Sequence, residues 1–262
     1  RAIDISGDPN LVPESADTFN LGFIFGAANF DATIDFWEFQ LTDTLTTDPL
    51  GGMVDAMFGS LAASSGLDPC TDAAYAGLRS RFTFSGGVCS QGTIGRVARS
   101  YVNGSDRDIS GVDWSISNYW DLSNGDIVTL GTTGTYTLGY DFDDVSVEGI
   151  LVEEAGDAAG FLNESSSAYP LPELKGQVYA EYTKGDANFR LVSKYIYEYI
   201  DQRYDFAIES QLTWDFHYRY LWNTDLAETV VNVSVENLTN KDPSFARVDL
   251  DYSTHSISQF SS

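Results

Sequence analysis

Residues 211–220 read QLTWDFHYRY, and this stretch decides the fold class. Every second side chain in it is apolar or aromatic, and each side chain between them is polar. Because successive side chains of a β-strand point to opposite faces of the sheet, the stretch predicts a strand with one apolar face and one polar face. The polar face carries Asp215, His217 and Arg219.

The same alternation recurs along the chain. It is present in residues 18–25, 112–120, 127–140, 177–183, 188–200 and 229–236. In residues 30–41 the apolar side switches near Phe36 and Trp37, which predicts a β-bulge there. Together these segments predict about eight amphipathic strands, most of them longer than the usual 5–6 residues of globular sheets.

Short and long links between these strands alternate. The short links are 27–29, 123–126, 184–186 and 223–225, and the long ones are 42–93 and 143–170, with a shorter one near 203–209. This alternation, with Tyr, Trp and Phe dominating the apolar face, is typical of a transmembrane barrel with long loops at one end. We therefore predict an all-β protein, a single partial domain over residues 1–262 that is an antiparallel up-and-down transmembrane β-barrel portion.

The net charge of the chain argues against one class of partner. The chain has 39 acidic and 14 basic residues and a net charge of -25. This balance argues against nucleic-acid partners, because such proteins need Lys and Arg to neutralise phosphates. There is no G-x-S-x-G or H-E-x-x-H motif, and we predict neither enzymatic activity nor a cofactor.

The polar sides of the strands supply the candidate functional residues, which we expect to face the lumen. They are Glu181, Arg190, Lys194, Glu198, Asp215, His217 and Arg219, together with Thr129 and Thr133. His217 alternates with aromatic residues, so we interpret it as part of a polar ladder and not as a general base. The carboxylates at 141, 143, 144 and 148 offer oxygen ligands for Ca²⁺ but lack the EF-hand spacing, and we predict no metal site.

The long loop 42–93 has internal features of its own. Met53, Met57 and Leu61 are spaced as on one face of a helix, which predicts a short helix within residues 53–63. Cys70 and Cys89 are the only cysteines of the chain. A pair within one loop favours a disulfide formed in an oxidising compartment, and free thiols are the alternative.

Four motifs in order resemble those of TonB-dependent outer-membrane receptors. They are SGDPNLVPESADTFNLG at 6–22, DFW at 35–37, YVNGSDRDISGVD at 101–113 and NVSVENLTNKDP at 232–243. The resemblance covers nearly the whole chain and is to the C-terminal part of such a barrel. The cysteine pair is also similar to one common in the extracellular loops of these receptors.

The resemblance implies active uptake of a scarce nutrient, such as a siderophore, cobalamin or a glycan, across the outer membrane of a Gram-negative bacterium. It implies four partners: outer-membrane lipid, the remainder of the barrel with its plug domain, the TonB energy-transducing complex acting through the plug, and a small-molecule or glycan substrate. In contrast to the family, we expect the chain to lack a plug. Residues 249–262 resemble the loop before a final strand that is missing, so we expect a fragment, unless the strands close as a small barrel of their own.

A secreted, acidic β-sandwich that binds carbohydrate or calcium is the alternative. Its exposed Trp and Tyr side chains would then form a sugar platform, and its charge would keep it soluble. The two hypotheses differ in what covers the aromatic face, which is lipid for the barrel and a second sheet for the sandwich.

Overall fold

The computed structural model describes residues 2–163, 169–201, 205–224 and 227–244. The segment 249–262, expected to be the loop before a final strand, lies outside them. The strands are β1 (Ala2–Ser6), β2 (Ser15–Ala27), β3 (Phe30–Thr42), β4 (Leu45–Thr47), β5 (Phe82–Phe84), β6 (Ile94–Asn103), β7 (Arg107–Asp121), β8 (Ile127–Phe142), β9 (Val145–Val147), β10 (Ile150–Glu153), β11 (Gly156–Asp157), β12 (Phe161–Asn163), β13 (Tyr169–Leu171), β14 (Leu174–Lys184), β15 (Ala187–Ile196), β16 (Tyr199–Asp201), β17 (Phe206–Ile208), β18 (Gln211–Asn223) and β19 (Glu228–Val235). The α-helices are α1 (Leu50–Phe58), α2 (Ser60–Ser65) and α3 (Ala76–Ser80), and 3-10 turns occupy Ala73–Tyr75, Ser85–Gly87 and Gln91–Thr93.

Eight long strands form the main sheet, in the order β2–β3–β7–β8–β14–β15–β18–β19. Each pairs antiparallel with the next long strand along the chain, and the two-residue β11 pairs with the end of β8. The antiparallel up-and-down arrangement is therefore confirmed. Within the described residues β2 and β19 are the two edges, so the sheet is open and does not close as a small barrel.

The bulge predicted near Phe36 and Trp37 is wrong. β3 keeps an unbroken register with both of its neighbours, and the irregularity lies in the β7–β8 pair, between Ser110 and Gly111. The apolar pattern of β3 changes because the Trp37 indole lies over Gly111 on the polar side of the sheet. A Cβ at Gly111 would come within 2.3 Å of the indole, so glycine makes room for the ring.

The two ends of the main sheet differ in their connections. Tight turns join β2 to β3, β7 to β8 and β14 to β15 at one end. Gly125 (φ 86°) and Gly185 (φ 54°) take left-handed conformations in two of these turns, where glycine meets no Cβ penalty. The long segments 43–106, 143–163 and 169–173 lie between strands at the opposite end of the sheet.

Much of the long segments folds into a separate unit, which we call the cap. It comprises residues 43–106 and 143–155 together with β1, and β6 at its centre pairs with β1 in parallel and with β4 and β5 antiparallel. The helix predicted within 53–63 is present as α1 followed by α2. The buried core of the cap consists of Met53, Ala56, Met57, Tyr75, Leu78, Phe82, Ile94, Val97, Val147 and Val152.

A disulfide joins Cys70 to Cys89 in the cap, with the two Cα atoms 5.8 Å apart. A second, smaller sheet at the same end has the order β13–β12–β16–β17. Leu162, Tyr199 and Ile208 are buried together there. The end of the sheet that carries long connections is thus covered by structured units with their own cores.

Candidate functional site

The main sheet buries its polar side chains more than its apolar ones. In β18, Thr213 and Asp215 are 8% and 3% exposed, whereas Leu212 is 44% exposed. Phe23 on β2 and Val178 on β14 are exposed by 66% and 58%. In a β-sandwich the apolar faces are packed against each other, so these values fit a sheet whose apolar face meets lipid.

Aromatic side chains cluster on the apolar face at the tight-turn end. The rings of Tyr182, Phe189 and Tyr218 lie on three neighbouring strands, with centroids 6.3 Å and 5.0 Å apart. The Tyr182 hydroxyl donates a hydrogen bond to Asp126 in the β7–β8 turn. Rings with a polar tip at this level are what a bilayer interface favours.

Strand register places several of the sequence-predicted residues in one row across the polar face. Glu181 pairs with Arg190, Arg190 with His217, and His217 with Ser234. On its other side Glu181 pairs with Thr129. A hydrogen bond of 3.0 Å joins His217 Nδ1 to Ser234 Oγ.

An ion pair between an exposed lysine and a buried carboxylate stands next to this row. Lys194 Nζ lies 2.8 Å from Asp215 Oδ2. The other carboxylate oxygen, Oδ1, accepts a hydrogen bond of 2.8 Å from the backbone N–H of Asn237. Asn237 follows β19 and belongs to the NVSVENLTNKDP motif, so the motif ties the chain beyond β19 back to the polar face of β18.

Arg190 is held by a ring that sequence reasoning did not single out. Its guanidinium carbon lies 4.0 Å from the centroid of the Tyr179 ring, within cation–π distance. Tyr179 in turn takes the place that a side chain at Gly131 would occupy, since a Cβ there would meet the ring at 2.3 Å. Tyr179 lies on the polar side of β14. Its position among polar residues is the sequence feature that could have identified it as a candidate.

An open groove of about 620 Å³ lies on the polar face near the β14–β15 turn. It contains four of the predicted lumen-facing residues. Its lining is Glu181, Thr183, Gly185, Asp186, Ala187, Asn188, Arg190, His217, Tyr218, Arg219, Leu221, Asn232 and Ser234.

Three of the predicted residues, Lys194, Asp215 and Glu198, do not line the groove. Lys194 is on the same face but bound to Asp215, outside the groove lining. Glu198 does not lie on β15, which ends at Ile196, and it is exposed in the link to β16.

Motif residues also meet at the base of the cap. The Asn103 side chain accepts a hydrogen bond from the Val12 N–H and donates to the carbonyl oxygens of Val12 and Asp43, each at 2.9 Å. Glu14 accepts a hydrogen bond of 3.0 Å from the Leu45 N–H. Two of the quoted motifs therefore join the main sheet to the cap.

The described residues hold no group of three or more His, Cys, Asp or Glu side chains placed to bind a metal ion. No helix in this part of the chain has the length and apolar character needed to span a membrane. The chemistry that the polar face offers is hydrogen bonding and ion pairing to a polar or charged ligand.

Comparisons with known proteins identify the family. A family profile described as TonB dependent receptor-like, beta-barrel, matches residues 2–251. No curated protein matches the sequence. One similar solved structure is the FrpB iron transporter from Neisseria meningitidis, with a TM-score of 0.50 and 14% identity over 90% of this chain and 29% of that chain.

Another is a mutant of the ferric enterobactin receptor PfeA from Pseudomonas aeruginosa, with a TM-score of 0.51 and 9% identity over 89% of this chain and 26% of that chain. At these identities the likeness shows the fold alone, and the chain spans between a quarter and a third of either structure. The profile, matching almost the whole chain, and the open antiparallel sheet agree: the chain belongs to the TonB-dependent receptor family as part of its β-barrel.

Proposed function

We propose that this chain forms part of the wall of an outer-membrane receptor that takes up a scarce nutrient with energy from the TonB complex. Members of the family are transporters and receptors of the Gram-negative outer membrane. The observation that carries the proposal is the burial of polar Thr213 and Asp215 beside exposed Leu212. Lipid against the apolar face stabilises such a sheet.

Each part of the structure has a role in this proposal. The cap and the small second sheet face the outside and capture the ligand. The polar face lines the lumen and contacts the plug domain and the passing substrate. The TonB complex acts through the plug, so the energy for transport comes from outside this chain.

The proposed substrate is a siderophore, cobalamin or a glycan. The two similar structures are those of an iron transporter and a ferric enterobactin receptor, which favours the siderophore class for this chain. The alternative of a secreted carbohydrate- or calcium-binding sandwich gains no support, because its apolar faces would be covered.

The first test is cell fractionation. We expect the protein in the outer-membrane fraction, resistant to salt washing and released only by detergent. Recovery as a soluble monomer in salt buffer would contradict the proposal.

The second test is uptake of labelled ferric siderophores, cobalamin and oligosaccharides by cells that produce the protein. Uptake of one class should require the protein and should be lost in a host that lacks TonB. Uptake that persists without TonB would contradict the energised mechanism and leave the location in the membrane unaffected.

A further inference from the structure

The cap is assembled mainly from two segments that are far apart in the sequence. Residues 43–106 lie between β3 and β7, whereas residues 143–155 follow β8. The second segment contributes a single hairpin, in which β9 pairs antiparallel with β10. We call residues 145–153 the cap hairpin.

The cap hairpin adds two side chains to a core that is otherwise formed within the first segment. Val147 and Val152 are its members of the buried core, and they are 4% and 1% exposed. The other buried residues of this core lie between residues 53 and 97. The disulfide between Cys70 and Cys89 closes a loop within the same segment. The first segment therefore holds most of the core without the hairpin.

Two glycines of the first segment make room for the cap hairpin. A Cβ at Gly52 of α1 would come within 2.1 Å of the Val152 carbonyl oxygen. A Cβ at Gly77 of α3 would come within 2.8 Å of the Glu148 Cβ. Both distances are shorter than real Cβ contacts, so the hairpin lies directly against the backbone of the two helices. We call this surface of α1 and α3 the seat.

An ion pair at the tip of the hairpin fastens it to the first segment. Glu148 lies in the turn after β9, and its Oε1 atom is 2.8 Å from Arg81 Nη2 and accepts a hydrogen bond of 2.9 Å from Arg81 Nε. The Nη1 atom of Arg81 is fixed in turn by Ser100 Oγ at 2.9 Å and Asp48 Oδ2 at 3.6 Å. The Glu148 side chain is 40% exposed, so salt in the solvent weakens this ion pair.

The base of the hairpin is attached to the main sheet. The Asp144 carboxylate accepts a hydrogen bond of 2.6 Å from the Ala155 N–H, which joins the two arms below the hairpin. Directly beyond Ala155, β11 pairs with the last residues of β8. These contacts do not use the seat or the ion pair, so they hold the base of the hairpin at β8 when its tip is released.

We propose that the cap hairpin is a latch, which leaves the seat and returns to it while the rest of the cap stays folded. The ion pair between Arg81 and Glu148 is its clasp. While the latch is closed, residues 43–106 and the end of β8 move together, and when it is open they move separately. The use of this motion in ligand capture rests on the proposed function, whereas the latch itself does not.

Hydrogen exchange measured by mass spectrometry on the purified protein in non-ionic detergent tests the latch. Glu148→Gln removes the charge of the clasp and keeps the size of the side chain. We expect residues 145–153 to exchange about two- to fivefold faster in this variant, as for the loss of an exposed ion pair, and residues 50–58 and 94–103 to keep their rates. In about 1 M NaCl the wild-type hairpin should approach the rate of the variant.

Asp4→Asn is the matched control. It removes the ion pair between Asp4 and Arg96, which is also exposed but joins β1 to β6, so the exchange of residues 145–153 should stay unchanged. Gly77→Ala tests the seat without a change of charge, and it should also speed up exchange in the hairpin. Because alanine favours a helix more than glycine does, this variant does not weaken α3 itself.

Two results would overturn the inference. Equal exchange of residues 145–153 in Glu148→Gln, in Asp4→Asn and in the wild-type protein would show that the ion pair is not a clasp. Acceleration of residues 50–58 by the same factor as residues 145–153 would show that the hairpin opens only when the whole cap unfolds. The measurement needs no ligand, so neither result affects the fractionation and TonB tests of the proposed function.

Discussion

Glycines beneath aromatic rings shape both faces of the main sheet at the scale of single residues. At three positions ring atoms stand where a Cβ would be, all at 2.3 Å. The pairs are Gly111 with Trp37, Gly131 with Tyr179, and Gly134 with Trp114. Each ring gains backbone contact that a larger residue would deny it, which compensates for the weakness of glycine in a strand.

The pair of Gly131 and Tyr179 gives a direct prediction. Gly131→Ala should destabilise the protein by about 1–3 kcal/mol, because the new methyl group displaces the Tyr179 ring and with it the support of Arg190. Thermal unfolding in detergent measures the change. Gly92→Ala is the control, since nothing lies within 4 Å of its added Cβ, and equal unfolding temperatures for the two variants would contradict the prediction.

Asp68 in the cap gives a prediction about pH. The Thr71 hydroxyl donates to its carboxylate at 2.8 Å and the Cys70 N–H at 3.0 Å, and these hydrogen bonds hold the pKa of Asp68 below its ordinary 3.8. A carboxyl group whose pKa is lower in the folded protein than in the unfolded chain stabilises the fold at pH values above its unfolded-state pKa. This contribution is lost as the pH falls through the folded-state pKa.

An NMR titration of the Asp68 carboxyl should therefore give a midpoint below 3.8, and Thr71→Val should raise it. A midpoint that Thr71→Val leaves unchanged would show that the hydroxyl is not the main cause.

The cap shows how short elements become stable at the scale of secondary structure. α1 has nine residues and α2 six, which is too short for stability in isolation. Met53, Met57 and Leu78 of the helices are buried against Val97 of β6 and Val152 of β10. Tertiary packing between distant segments, closed by the disulfide, therefore stabilises these helices.

Replacing both Cys70 and Cys89 by alanine should lower the stability of the cap by up to about 3 kcal/mol, because the disulfide closes a loop of 19 residues. Hydrogen exchange measured by mass spectrometry should speed up in residues 50–103 and stay unchanged in β14 and β15. Equal acceleration in both regions would mean that the cap and the main sheet unfold together.

The two faces of the main sheet determine the behaviour of the whole molecule. Exposed apolar side chains such as Phe23 and Val178 form one surface, and the partly buried polar row forms the other. In water the first surface would favour aggregation, whereas in a bilayer it is the stable arrangement.

Adjacent residues on β14 test this division. Val178→Lys places a charge on the apolar face and should destabilise the protein in lipid by about 2–4 kcal/mol if the position lies near the bilayer midplane. Gln177→Lys places the same charge on the polar face, where the 3.1 Å hydrogen bond to Thr133 is lost and the new charge stands opposite Lys194 of β15, and should cost about 1–2 kcal/mol. Unfolding by urea in lipid vesicles compares the two, and equal costs would contradict the assignment of faces.

Prediction from sequence was most successful where the information is local. The alternation of polar and apolar residues placed five candidates on strands, and the structure brings their side chains to one face of the main sheet. They are Glu181, Arg190, Asp215, His217 and Arg219. The same alternation was extended to Glu198, but β15 ends at Ile196 as the chain leaves the sheet for β16. Periodicity cannot locate the end of a strand when the next segment also alternates.

By itself the sequence determined the strands, their two faces, their up-and-down order and the family, because a side-chain period of two and short motifs are properties of neighbouring residues. Only the tertiary structure decided which residues distant in sequence meet: Arg190 over Tyr179, Asn237 on Asp215, and Asn103 on Val12. It also moved the irregularity from β3 to the β7–β8 pair and gave the cap its core. These contacts depend on register and on packing between distant segments, which no local pattern specifies.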